Sequence, residues 1–140
     1  MGISYLWDTN TVIYYLQQQF SLEAEKFMDR IVEDSFPCIS AITEIELLCW
    51  KSANENDLDL LKRFVNDAIV IELEKAIKLK TAEIRKQHRL KLPGAIIAAT
   101  ALVYDLELLT HNIKDFAGIS QLKIATHGTQ NRPKNNTLFT

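Results

Sequence analysis

The chain has 140 residues, 47% of them hydrophobic and 24% charged, with a net charge of −2. That composition suits a single globular domain with a real core, and no apolar run approaches the roughly 20 residues that a membrane-spanning helix needs. Two cysteines and three scattered histidines set neither a disulfide framework nor a zinc-ligand pattern.

In chain order, Ile3 to Trp7 reads as a short buried strand ending at Asp8. The start, MGISYLWD, lacks the basic and apolar regions of a secretory signal, and Leu6 stands where a myristoylation motif wants Ser or Thr. A cytoplasmic protein is therefore expected. Thr9 and Asn10 are good N-cap types, and a helix follows through TVIYYLQQQ. Ser21 is expected to cap a second helix, SLEAEKFMDRIVED, whose Glu23 and Glu25 suit the positive end of the helix dipole. Phe36 to Ser40 reads as a second strand. Ala41 to Lys51 reads as a helix with Ile42, Ile45, Leu48 and Cys49 on one apolar face. Cys38 and Cys49 are both expected to be small buried hydrophobes.

A short helix is expected over Asp57 to Asn66 and a third strand over Ala68 to Leu73. Glu74 to Leu90 then reads as a long helix rich in basic residues. Pro93 opens another helix, running to about Tyr104, because its missing N–H is not needed in a first turn. Leu106 to Thr110 is a fourth strand, Asn112 caps a single helical turn, and Leu122 to Ala125 is a fifth strand. Residues 127–140 are polar and read as a flexible tail, leaving 1–126 as the domain. Short apolar strands alternating with helices predict a three-layer α/β/α sandwich around a parallel sheet of about five strands.

In such sheets, sites form beyond the carboxyl ends of the strands. Three acids are candidates there: Asp8 after the first strand, Glu46 one turn into the helix after the second, and Asp115 after the fourth. Clustered carboxylates repel one another, and holding a hard cation such as Mg²⁺ or Mn²⁺ is the main reason to keep them together. The chemistry that follows is metal-assisted hydrolysis, most often of a phosphodiester. Each acid also has a plainer reading: Asp8 as a helix cap, Asp115 as an acid favouring the start of a short helix, Glu46 as a solvated helix residue. Charge is uneven as well. Residues 1–73 carry 5 basic and 13 acidic side chains, whereas residues 74–140 carry 11 basic and 5 acidic ones. Lys86, Arg89 and Lys91, just ahead of Pro93, are candidate contacts for an anionic partner.

Four blocks then carry a resemblance: LWDTN at 6–10, ISAITEIEL at 39–47, LPGAIIAATA at 92–101 and LTHNIKDF at 109–116. In this order and spacing the chain resembles the PIN-domain proteins, specifically the VapC-type toxins of bacterial toxin–antitoxin pairs. The resemblance implies a Mg²⁺- or Mn²⁺-dependent endoribonuclease that cuts structured RNA such as transfer RNA. It implies Asp8, Glu46 and Asp115 as metal-holding catalytic acids, with Thr9, Asn10, Thr110 and Asn112 shaping the site. A VapB-like antitoxin and a homodimer are the implied partners. One block departs. Gly94 stands where the family has an aspartate. A Pro-Gly turn, a naturally weakened enzyme and a laboratory substitution would each put glycine there. The expected consequence is weak metal binding and poor cleavage, and the alternative is an inactive PIN-fold module that binds antitoxin or RNA. A phosphoacceptor receiver domain shares the architecture, but Ile69 to Leu73 ends without the aspartate that class requires.

Overall fold

The computed structural model describes residues 4–51 and 54–126. The elements, in chain order, are β1 (Tyr5–Trp7), α1 (Thr9–Leu16), α2 (Leu22–Asp34), β2 (Cys38–Ser40), α3 (Ala41–Leu48), α4 (Glu55–Asp67), β3 (Ile69–Ile71), α5 (Lys75–Gln87), α6 (Leu92–Val103), β4 (Glu107–Leu109), α7 (Ile113–Phe116) and β5 (Ile124–Ala125). All strands run parallel in the order β3-β2-β1-β4-β5. The chain therefore steps outward from β1 to β3, then crosses back to place β4 on the other side of β1. That reversal leaves the crevice between β1 and β4, at their carboxyl ends, as the switch point where such sheets build sites.

Strand alternation assigns each core to one face. Leu6 and Leu108 point to the side covered by α5, α6 and α7, where Ile77, Ile84, Ala95, Ala98, Ala99 and Phe116 join them. Trp7 and Leu109 point to the opposite side and pack with Val12, Ile13, Met28, Leu47 and Leu61 of α1 to α4. The expected three-layer sandwich with five parallel strands is what the chain forms. The proposed tail, residues 127–140, lies outside the described residues. Among the described residues no helix is long and apolar enough to cross a membrane.

Local chemistry explains most boundaries. Ser21 caps α2 as expected, its hydroxyl accepting from the Ala24 N–H at 3.2 Å. Asn54 does the same for α4, accepting from the Asp57 N–H at 2.8 Å. Three expectations need correction. The cap of α1 is Asp8, not Thr9 or Asn10, which already belong to the helix. Cys38 is buried but Cys49 is exposed. The apolar face of α3 is turned outward: Ile45 is 55% and Leu48 63% exposed, and Thr43 and Leu47 are the buried residues. The helix packs by its Thr43–Leu47 face instead, Leu47 entering the core and Thr43 meeting Thr9, while Ile42 stays half-buried against the opposite core.

Candidate active site

Asp8 sits where β1 ends and α1 begins. Its backbone is extended, and its N–H donates to the Leu109 carbonyl at 3.1 Å, tying it to the end of β4. The side chain is 1% exposed. One carboxylate oxygen accepts from the Thr9 N–H at 2.9 Å, and the other accepts from the Thr110 hydroxyl at 2.8 Å. Thr110 in turn accepts from the Asn112 N–H at 2.9 Å, and the Asn112 side-chain amide donates to Asp115 at 2.9 Å. Asn112 thus precedes α7 as expected but spends its side chain on the acid rather than on a cap bond.

On the other side of Asp8, the Thr9 hydroxyl donates to Glu46 Oε1 at 2.7 Å. It also lies 3.0 Å from the Thr43 hydroxyl. One hydrogen-bonded chain therefore runs from Asp115 through Asn112, Thr110, Asp8 and Thr9 to Glu46. It brings together every candidate acid and three of the four shaping residues. The fourth, Asn10, is buried in the first turn of α1. The sequence reading missed Thr43. Its signal was the Thr-x-x-Glu spacing, which stacks the two side chains on one face of a helix.

Electrostatics links the same residues. Burial pushes the Asp8 carboxyl up to about 6, the Thr110 and Thr9 bonds pull it back, and the charge of Asp115 raises it further. Burial also raises Glu46, against the Thr9 bond, and the charge of Asp8 adds to the rise. Among the described residues these acids feel one another without an ion-pair partner, the condition in which a bound cation is most favourable. Their hard oxygen donors suit Mg²⁺ or Mn²⁺. In number they fall short: among the described residues no three His, Cys, Asp or Glu side chains group closely enough to hold a metal ion.

Gly94 is buried in the first turn of α6, third in the helix rather than second, since the helix starts at Leu92. It forms no Pro-Gly turn, and non-helical freedom is not why glycine is there. A Cβ at this position would meet Leu90 Cδ2 at 3.4 Å and Phe116 Cε1 at 4.0 Å, ordinary contacts. Phe116 belongs to α7, beside Asp115, so position 94 faces the helix that carries the third acid. Lys86, Arg89 and Lys91 are exposed on the approach to α6. Among the described residues none of them forms an ion pair, whereas Lys80 pairs with Glu83 and Arg85 donates to the Leu90 carbonyl.

The comparisons agree with this fold. No curated protein matches the chain, but solved structures do. DNA-bound VapBC from Salmonella typhimurium superposes with a TM-score of 0.75 at 23% identity, covering 90% of this chain and 99% of that one. A toxin–antitoxin complex from Klebsiella pneumoniae gives 0.69 at 30% identity, covering 89% and 98%. FitAcB from Neisseria gonorrhoeae gives 0.67 at 21% identity, covering 88% and 97%. The PIN domain pattern matches residues 5–121. With the sheet order, the acid-bearing crevice and a match over nearly the whole domain in agreement, this chain belongs to the PIN-domain family.

Proposed function

We propose that this chain is a VapC-type toxin, an endoribonuclease of structured RNA such as transfer RNA, with one carboxylate missing from its metal site. The observation that carries the reading is the bonded chain joining Asp8, Glu46 and Asp115 at the β1–β4 crevice. Asp8 and Glu46 would hold Mg²⁺ or Mn²⁺, with Asp115 joined to them through Asn112 and Thr110. Bound there, the ion would polarise the scissile phosphate and make water a stronger nucleophile. The protein's own work is positioning. Thr110 and the Thr9 N–H fix both oxygens of Asp8, the Thr9 hydroxyl fixes Glu46, and Asn112 fixes Asp115. Burial keeps competing water away from Asp8. Exposed Lys86, Arg89 and Lys91 would neutralise RNA phosphates on the approach.

Partners follow from surface chemistry and from the complexes in which the similar chains occur. A groove of about 490 Å³ opens between α1, α2 and α4, floored by Tyr15, Leu16, Val32, Leu60 and Phe64 and edged by several acids. It suits an amphipathic segment of a VapB-like antitoxin with basic flanks. Tyr15 lines it, whereas Tyr14 and Phe20 are core residues. The outward apolar face of α3 suits a homodimer. A toxin of this kind would act in the cytoplasm. The second reading, an inactive PIN-fold module binding antitoxin or RNA, is favoured by Gly94 alone.

The Gly94→Asp protein separates the two. Its Cβ fits, and an acid in the first turn of α6 also suits the helix dipole. The expected result is metal-dependent cleavage of total RNA by Gly94→Asp, with Mg²⁺ and Mn²⁺ each tested, and little by the chain as written. Equal inactivity of both proteins would leave the binding-module reading in its place.

A further inference from the structure

Thr9 has one hydroxyl proton and two oxygen neighbours. Its Oγ1 lies 2.7 Å from Glu46 Oε1 and 3.0 Å from Thr43 Oγ1. An ionised carboxylate only accepts, so the Thr9 proton is committed to Glu46. The second contact then runs the other way, with Thr43 donating to Thr9. Both threonines are completely buried, so water does not substitute for either hydroxyl.

Buried helical threonines use their hydroxyls in two ways. In the first turn of α1, Thr11 donates out of its helix to the Leu109 carbonyl at 3.0 Å. Thr81 donates to the Ile77 carbonyl and Thr100 to the Ile96 carbonyl, each at 2.7 Å within its own helix. That back-bond is the ordinary resting place of a helical threonine hydroxyl. Thr43, in the first turn of α3, follows Thr11 and directs its hydroxyl to another element, here α1. A donor placed on Thr9 Oγ1 fixes the rotation of that hydroxyl and makes its own O–H a stronger donor.

We propose that Thr43 is a positioning residue. Its hydroxyl orients the Thr9 proton toward Glu46 and so holds the Glu46 carboxylate at the acid crevice. The functional weight of this rests on the nuclease reading, but the positioning itself is a property of the metal-free chain. Two substitutions separate it from simple packing. Thr43→Val keeps the shape and loses the donor, and Thr43→Ser keeps the donor and loses a methyl group.

The first measurement is the crystal structure of each variant without metal. Thr43→Ser should keep Glu46 on Thr9, and Thr43→Val should release the carboxylate to other rotamers. If Thr43→Val does not fold, Thr43→Ala also lacks the donor and takes its place. The second is Mn²⁺ binding by calorimetry in the Gly94→Asp protein. Thr43→Val should weaken binding by about fivefold, the effect of one buried hydrogen bond, and Thr43→Ser should restore it. Thr9→Val should weaken binding, and adding Thr43→Val to it should change nothing more, since the relay is already cut. An unmoved Glu46 in Thr43→Val, or equal losses in the Val and Ser variants, overturns the proposal. Failure of Gly94→Asp itself to bind Mn²⁺ refutes the nuclease reading instead, and the crystal structures then decide Thr43.

Discussion

Asp8 carries the sharpest residue-level consequence. Its folded carboxyl is raised to about 6 against 3.8 for an ordinary aspartate. The folded state therefore binds the proton more tightly than the unfolded chain does. Stability contributed by protonated Asp8 is full at low pH and is lost as pH rises from about 4 through 6. A rise of this size corresponds to at most about 3 kcal/mol, and the raised Glu46 acts in the same direction. Asp8→Asn removes the buried charge. We expect it to melt several degrees higher than the parent at pH 7.5 in the presence of a chelator, each kcal/mol being about 3–4 °C at this size. It should also flatten the pH dependence of melting between about pH 4 and 6. An identical pH slope in both proteins would show that Asp8 is not the group responsible. The gain would cost function, as is common where a site keeps a strained charge.

At the scale of the element, the helices are set by their starts. The Ser21 hydroxyl satisfies the Ala24 N–H, and Glu23 and Glu25 add favourable charge to the same turn of α2. Ser21→Ala should therefore cost about 1 kcal/mol, read as a drop in melting temperature of about 3–4 °C, while leaving metal binding alone because α2 carries no site residue. A drop below half a degree would mean that water or a neighbour caps the helix as well. The helix α6 shows the opposite arrangement. Lys91 caps it without a side-chain bond and no acid stands in its first turn, so the position where Gly94 sits is the electrostatically favoured place for a carboxylate. Glycine at 94 does not disturb the element, which forms fully with residues 94–101 all buried.

At the scale of the molecule, the return of the chain from β3 to β4 puts the ends of β1 and β4 side by side and brings Asp8 within reach of Thr110. The same topology leaves α3, near the β3 edge, with its apolar side outward. Ile45 and Leu48 are exposed there, and they are the residues on which the proposed homodimer is tested. Leu48→Glu should keep the parent's melting temperature within about 1 °C, since exposed substitutions change stability little. By light scattering after size exclusion it should convert a dimer to a monomer. A parent that is already monomeric at working concentration removes this assignment.

The sequence by itself determined the layer architecture, the strand and helix order and the cap at Ser21, and it singled out Asp8, Glu46 and Asp115 as candidates. These follow from short-range signals: apolar runs of strand length, cap chemistry, and blocks such as DTN and the Thr-x-x-Glu turn. It left the cap of α1 open among Asp8, Thr9 and Asn10, and it misjudged the exposure of Cys49 and the direction of the α3 face, because periodicity tells that a helix has an apolar side but not what waits opposite it. Only the tertiary structure decided that Asp8, Glu46 and Asp115 share one bonded chain, and that Thr43 belongs to it. Those bonds join residues 34, 37 and 102 positions apart. Contacts at that separation leave no local pattern, and sheet order alone brings them to the same crevice.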